Sequence, residues 1–128
     1  MENLLEREQI ELEITVEESM ISCEYGELEY SFDGAYASVN AVSVYFRTRE
    51  GIGTRLVDRF ESLSKENGIT FVEVPCSPTQ EAVLFWMSLG YEPAIKEDKR
   101  WANKISRSNL EGRWETPSGI VRLLKKLG

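Results

Sequence analysis

The fold is decided by eight residues that read RTREGIGT at positions 47–54, between a strand-like segment and a helix-like one. Gly51 and Gly53 remove side chains where the backbone turns, so successive amide groups can point at one spot in front of the helix. The first amides of a helix are unpaired and its dipole is positive at that end, so this spot suits a phosphate or pyrophosphate. Two glycines that merely end a strand are the alternative. The third glycine of a dinucleotide fingerprint and the Gly-Lys-Ser/Thr of a P-loop are both absent.

Upstream of this stretch, the sequence has the period-two alternation of strands. Residues 10–16 and 28–32 alternate apolar and polar side chains, and residues 20–24 fit a strand between them. The Asp-Gly pair at 33–34 is typical of a hairpin turn into a further strand over 35–46. These segments predict an antiparallel meander whose acidic face meets water.

Downstream, the apolar residues take the period of helices. The pattern predicts, in order, a helix over 53–67 ended by Asn67 and Gly68, a strand over 69–74, a helix capped by Ser77 and ended by Gly90, and short strands at 91–95 and 100–105. A strand, a helix and a strand in succession imply a right-handed crossover that leaves the two strands parallel. The predicted fold class is therefore α+β, in which a meander runs into a βαβ unit and two main helices pack on a mixed, twisted sheet.

A second motif lies in the second of these helices. The residues TQEAVLFWMSLGY at 79–91 resemble the second signature of the GCN5-related N-acetyltransferases (the GNAT family), Asn-x-x-Ala-x-x-x-Tyr-x-x-x-Gly-Phe. Together with the glycine-containing stretch and the helix after it, the resemblance covers residues 35–95. It implies a GNAT-like fold in which the parallel strands splay apart, within a single acyl-CoA-binding domain of residues 1–107.

The resemblance also implies a site for acetyl-CoA or a related acyl-CoA. Backbone groups of Val44 and Phe46 would pair with the pantetheine arm, and amides of the glycine-containing stretch would hold the pyrophosphate. Side chains of the second helix and its cap would line the far wall. The implied cofactor-binding residues are Val44, Phe46, Arg49, Glu50, Gly51, Ile52, Gly53, Thr54, Thr79, Phe85 and Trp86.

Several positions depart from the family pattern: Thr48 stands where the family usually has arginine or glutamine, so the stretch is one residue short and Arg49 takes the basic role. Glu50 stands where the family often has lysine, Thr79 replaces its asparagine, and Trp86 replaces the tyrosine that commonly protonates the departing thiolate. An indole N–H donates hydrogen bonds but is no acid at neutral pH. The absence of histidine and the replacement at Trp86 favour a non-catalytic binding or regulatory module that keeps the fold, with or without CoA binding, whereas the intact Gly51-Ile52-Gly53 loop favours an enzyme.

For an enzyme, the expected reaction is direct attack of an acceptor amine in a ternary complex, which needs a group that takes up a proton. The chain contains no histidine, so a carboxylate, a tyrosine or a water chain must do this. Glu73, on the splayed strand, is the first candidate base. Tyr45, near the end of the other strand, is a candidate for orienting the acceptor or acting as the acid. A solvent-facing glutamate and a packing tyrosine are the alternatives, and Cys76 has no evident base to make it a nucleophile.

Composition and net charge limit the kinds of molecule that the protein is expected to bind. The chain has 128 residues and a net charge of −7, with six basic and 18 acidic side chains in residues 1–95 and nine basic and four acidic in 96–128. An acidic body suits a cationic acceptor, either a small-molecule or a peptide amine, and argues against nucleic acid. Because histidine is absent and the two cysteines fit buried thiols, no metal site is expected.

Residues 108–128 are expected to form a basic amphipathic appendage. The apolar residues after Thr116 predict a short helix that docks on the sheet, forms a homodimer or binds an acidic partner. No apolar run reaches the ~20 residues of a membrane-spanning helix, and the N-terminus lacks the basic start of a signal peptide. A cytoplasmic protein with no membrane partner is therefore expected.

Overall fold

The computed structural model describes residues 12–45 and 51–128. The first range forms the predicted antiparallel meander, with strands β1 (Thr15–Glu17), β2 (Met20–Cys23), β3 (Gly26–Asp33) and β4 (Tyr36–Val44). Gly34, with a φ of 62°, makes the β3–β4 turn at the predicted Asp-Gly pair. The predicted start of the first strand at Ile10 and the predicted end of the fourth at Phe46 lie outside the described residues.

Residues 51–128 add helices and the remaining strands. They form α1 (Ile52–Glu66), β5 (Phe71–Cys76), α2 (Gln80–Ser88), β6 (Glu92–Pro93), α3 (Lys96–Ser106) and β7 (Val121–Lys126). All strands of the described ranges join one seven-stranded sheet of order β1-β2-β3-β4-β5-β7-β6. β4 and β5 are parallel, whereas the other described pairs are antiparallel. The predicted α+β class, with a mixed sheet and a parallel pair, is confirmed.

The core lies between one face of the sheet and the helices. On α1, Leu56 and Phe60 are fully buried, and the ring of Phe60 lies 5.6 Å from that of Tyr30 on β3. On β5, Val72 and Val74 are buried, whereas Phe71, Glu73 and Pro75, which alternate with them, are half-buried. Side chains alternate between the two faces of a strand. β5 therefore directs one row of side chains to the core and the other row away from it.

The C-terminal segment corrects the predicted helix. Residues 121–126 form β7, which lies between β5 and β6 in the sheet. Over so short a run the apolar residues fit both the helical and the strand period, and pairing with β5 along six residues decides for the strand. Val121 and Leu123 are fully buried. Residues predicted to belong to an appendage therefore supply an inner strand of the sheet.

Two neighbouring elements also differ from their predictions. Residues 100–105, predicted as a strand, lie in α3, where Ala102 and Ile105 are buried three residues apart and face the core. The predicted strand at 91–95 shortens to the two residues of β6. The described residues therefore form a third helix besides the two main helices expected, and this helix precedes the C-terminal segment in which the short helix was predicted.

Candidate functional site

The site begins where the parallel strands separate. β4 and β5 pair from Tyr36 opposite Phe71 to Ser38 opposite Glu73, and no further. Beyond that point β4 continues to Val44 and β5 continues to residue 76 without pairing to each other. The strands thus form a V, whose apex is the Ser38–Glu73 pair. The V opens into a cleft of about 770 Å³, within the range of about 300–1,000 Å³ found for small-molecule sites.

Two local features of the strands explain the opening. The amide of Phe71 donates to the carbonyl of Ala35 at 3.3 Å, so it points toward β4. The direction of the amides alternates along a strand, so the nitrogen of residue 75 also points toward β4. Residue 75 is a proline and has no N–H, so it cannot donate a hydrogen bond to β4 there. On β4, Asn40 is the extra residue of a β-bulge, because the residues on either side of it pair with successive residues of β3. A bulge bends its strand, so both arms of the V depart from regular pairing.

The start of α1 forms one wall of the cleft. Gly51 is its N-cap, with a left-handed φ of 80° and no side-chain cap hydrogen bond. The first amides of a helix have no intrahelical partner, so those of Ile52, Gly53 and Thr54 are free to meet an anion. A Cβ on Gly53 would lie 3.2 Å from Cζ of Phe85, so glycine lets α1 approach α2 closely here. The glycines are thus part of the cleft wall and do more than end a strand.

The opposite wall is built on α2. Thr79 caps this helix by accepting a hydrogen bond from the amide of Ala82 at 3.2 Å, whereas the predicted cap, Ser77, lies two residues earlier. The rings of Phe85 and Trp86 meet edge to face with centroids 5.1 Å apart. Trp86 is only 6% exposed. The aromatic residues therefore give this wall a rigid apolar surface.

The structure brings most of the predicted site residues together and leaves others apart. The predicted residues that line the cleft are Val44, Gly51, Ile52, Gly53, Thr54, Thr79, Phe85 and Trp86. Three predicted residues, Phe46, Arg49 and Glu50, lie outside the described residues. The two candidate catalytic residues, Glu73 and Tyr45, are described and do not line the cleft.

Glu73 lies at the apex of the V but on the outer face of β5. The neighbouring Val72 and Val74 point to the core, so the Glu73 side chain points away from it. Its carboxylate forms an ion pair with the guanidinium of Arg122 on β7. Any proton acceptor role for Glu73 must therefore compete with Arg122 and operate from the outer face.

Tyr45 follows the last residue of β4. Its amide donates to the carbonyl of Tyr25 at 2.8 Å, which continues the meander beyond the strand end. A hydrogen bond with Glu27, followed by smaller effects of desolvation and charge, raises the pKa of the Tyr45 hydroxyl above its usual value. Tyr45 therefore keeps its proton at neutral pH.

The cleft also contains residues that the sequence did not predict to bind a ligand. Glu81 projects from the first turn of α2, and Arg113 comes from the loop before β7. Arg113 pairs with Thr79 in an isolated antiparallel bridge. The two residues are 34 positions apart, so no local pattern could indicate this contact. Cys76 also lines the cleft, and burial raises the pKa of its thiol to about 12, so it is no thiolate nucleophile at neutral pH.

Within residues 12–45 and 51–128, no group of three or more histidine, cysteine, aspartate and glutamate side chains is placed to hold a metal ion. None of the helices in these ranges combines the length and apolar character needed to cross a bilayer. The donor groups of the cleft include backbone amides, hydroxyls and the guanidinium of Arg113. Such groups suit a polar organic anion.

Comparison with known proteins identifies the fold. Neither a protein-family model nor a curated protein sequence matches the chain. Among solved structures, Ard1 from Thermoplasma volcanium superposes with a TM-score of 0.62 at 18% identity, over 84% of this chain and 70% of that one. The anti-CRISPR protein AcrVA5 gives a TM-score of 0.56 at 17% identity, over 83% of this chain and 95% of that one.

A third structure holds a ligand. The GNAT family N-acetyltransferase YhbS from Escherichia coli, in complex with CoA, gives a TM-score of 0.55 at 17% identity, over 85% of this chain and 57% of that one. Identities this low show a shared fold. The chain therefore has the fold of the GCN5-related N-acetyltransferases, as the resemblance of its two motifs predicted.

Proposed function

We propose that this protein is an N-acyltransferase that transfers an acetyl group from acetyl-CoA to an amine of an acceptor. The observation that carries the proposal is the V-shaped cleft between β4 and β5, which is closed at its mouth by the amide-bearing start of α1. One end of this cleft suits an anion and the other is an apolar slot. An acyl-CoA has phosphates at one end and an acyl thioester at the other, so the two ends match.

The residues of the cleft fit such a molecule in a defined direction. The amides of Gly51–Thr54 at the mouth would hold the pyrophosphate. The unpaired edge of β4 as far as Val44 would offer backbone groups to the pantetheine arm, as a neighbouring strand does. The acyl group would then lie toward the apex of the V, deeper than the contact between Gly53 and Phe85.

Acyl-CoA supplies the acyl group as a thioester. Only the neutral amine can attack, so the ammonium acceptor first gives one proton to a base. Its nitrogen then forms a bond to the acyl carbon as the carbon–sulfur bond breaks, and the second proton that the nitrogen loses passes to water while the leaving thiolate takes one up. In this proposal Glu73 accepts the proton of the acceptor from the outer face of the sheet, and Tyr45 orients the acceptor. The indole N–H of Trp86 can donate a hydrogen bond to the sulfur but cannot protonate it, so water supplies that proton.

We propose that the acceptor carries a positive charge, because the surface of the meander is acidic. Residues 12–45, which include the whole meander, carry seven acidic side chains and no basic one. An amine is an ammonium ion at neutral pH and is attracted to such a surface. A small polyamine and a lysine-bearing peptide both satisfy this requirement. In keeping with these substrates, the protein is proposed to act in the cytoplasm.

The first experiment separates charge from volume at the anion site. Binding of acetyl-CoA is measured by calorimetry for the natural protein and for Gly53→Gln and Gly53→Glu. Both variants carry a Cβ against Phe85, so Gln reports the steric cost and Glu adds a negative charge among the amides. We expect Glu to weaken binding at least ~10-fold more than Gln, because it repels the pyrophosphate. Equal binding by the two variants contradicts the proposed anion site.

The replacement of tyrosine by Trp86 favours a second candidate function, a binding or regulatory module that holds CoA without catalysis. Mass spectrometry of amine acceptors incubated with acetyl-CoA distinguishes the two. Binding together with acetylated product supports the enzyme. Binding without product from small polyamines or lysine peptides supports the module, and absence of binding by the natural protein contradicts both.

A further inference from the structure

We propose that Arg113 binds the 3′-phosphate at the nucleotide end of acyl-CoA. The inference rests on the proposed function, since it concerns the same cleft, and it adds a residue that lies outside both sequence motifs. Arg113 belongs to the loop between α3 and β7, and it lines the cleft beside the start of α2.

The fold holds Arg113 in place. Its backbone pairs with Thr79, and the amide of the next residue, Trp114, donates to the carbonyl of Pro78 at 2.8 Å. Its own Nη2 donates to the carbonyl of Gly119 at 3.0 Å. The other N–H groups of the Arg113 guanidinium remain available to an anion. Because one N–H already holds the guanidinium in place, the side chain loses little conformational entropy when it binds that anion.

The position of Arg113 along the V decides which part of the ligand it meets. The apex is the Ser38–Glu73 pair, and β5 runs from there toward the mouth, ending just before the cap of α2. Thr79, and with it Arg113, therefore lies at the wide end of the cleft, away from the proposed acyl group. The nucleotide phosphates are the anionic part of the ligand that would reach this end.

Arg113 is also separated from the proposed pyrophosphate site. That site is at Gly53, which contacts α2 through Phe85. Thr79 lies six positions before Phe85, or about 9 Å along the helix axis. This offset favours a second phosphate at Arg113 over the one held by the start of α1, and the 3′-phosphate is the second phosphate group that CoA carries.

The distribution of charged side chains in the cleft indicates why Arg113 would contribute to phosphate binding. Of the described residues that line it, Arg113 is the one cation and Glu81 the one anion. Ile52, Gly53 and Thr54 at the start of α1 supply amides and a dipole but no charged side chain, and Arg55 of the same helix does not line the cleft. A phosphate monoester would therefore find its charged partner in Arg113.

The test compares three ligands by calorimetry: CoA, 3′-dephospho-CoA and 4′-phosphopantetheine. Arg113→Gln removes the charge at similar length, and Arg107→Gln removes an exposed charge that does not line the cleft. We expect Arg113→Gln to weaken CoA binding ~10-fold or more, to leave 3′-dephospho-CoA and 4′-phosphopantetheine unchanged, and to lower the advantage of CoA over 3′-dephospho-CoA toward unity. Arg107→Gln should match the natural protein for all three ligands.

Three outcomes overturn the inference. Unchanged CoA binding by Arg113→Gln, with an unchanged melting temperature, removes Arg113 from the site. Equal losses for CoA and 3′-dephospho-CoA place Arg113 on the pyrophosphate instead. Absence of CoA binding by the natural protein overturns the proposed function as well, and it is the one outcome in which the two fail together.

Discussion

At the scale of single residues, the proposed chemistry depends on Glu73, whose carboxylate already has a partner in Arg122. We predict that Glu73→Gln lowers kcat for acetyl transfer ~100-fold or more, because a general base contributes about that much. Arg122→Gln breaks the same ion pair but keeps the carboxylate, so its kcat should stay at or above that of the natural protein. Steady-state kinetics on a lysine peptide measures both. An equal decrease in kcat for the two variants would show that the reaction depends on the ion pair and not on Glu73 as a base.

Cys76 gives a second prediction, in the pH dependence of stability. Burial raises the pKa of its thiol from 9.0 to about 12 in the folded protein. The unfolded thiol thus ionises first, so the stability that the buried thiol provides is present below pH 9 and lost as the pH rises toward 12. Between about pH 8 and about pH 10, Cys76→Ala should therefore lose less free energy of unfolding than the natural protein, by at most ~1.4 kcal/mol per pH unit.

Urea unfolding at the two pH values measures this difference for Cys76→Ala. Cys23→Ala is the matched control, because Cys23 is only half-buried in the meander. If both alanine variants follow the natural protein at alkaline pH, burial of Cys76 does not control its ionisation.

At the scale of elements, the sequence predicted what depends on local pattern and missed what depends on distant pairing. The meander, α1 and the glycine turn at its start follow from periodicity and turn residues, and the structure confirms these elements. Six residues of β7 have no distinct period, so only the space between β5 and β6 decides their conformation. Arg113 could not be predicted as a cleft residue for the same reason, because its place in the cleft depends on pairing with the distant Thr79.

β7 is also tied to α1 by a polar cluster, which leads to the third prediction. Lys125 donates to Oε1 of Glu61 at 3.0 Å and to the carbonyl of Leu89 at 2.8 Å, and the Tyr91 hydroxyl donates to Oε2 of Glu61 at 2.8 Å. We predict that Lys125→Met lowers the free energy of unfolding by about 1–3 kcal/mol, because it leaves a mostly buried carboxylate without its cation.

Lys126→Met is the control for that prediction, since Lys126 is the next residue of β7 and is exposed on the other face. It should change the free energy of unfolding by no more than about 0.5 kcal/mol. Chemical denaturation at neutral pH measures both variants. Similar values for the two would mean that the cluster contributes nothing beyond surface charge.

At the scale of the whole molecule, charge is distributed along the sheet. The meander at one end has no basic side chain in residues 12–45, whereas residues 96–128, which supply β7 on the far side of β5, carry nine. The cleft between β4 and β5 lies at the boundary of the two halves. This arrangement suits a reaction in which the acceptor is cationic and the donor anionic, because each would approach from the half of opposite charge.

The last prediction tests this division with two peptides that carry the same central lysine, flanked by arginines in one and by glutamates in the other. The arginine peptide should have the higher kcat/KM at low salt, because the acidic meander attracts it. Raising NaCl from about 50 to about 300 mM shortens the Debye length to less than about 10 Å, so the advantage of the arginine peptide should fall several-fold. The KM for acetyl-CoA, measured in the same assays, should rise with salt for both peptides alike, since its phosphates meet the basic half. If the two peptides are acetylated equally at low salt, the acidic meander plays no part in choosing the acceptor.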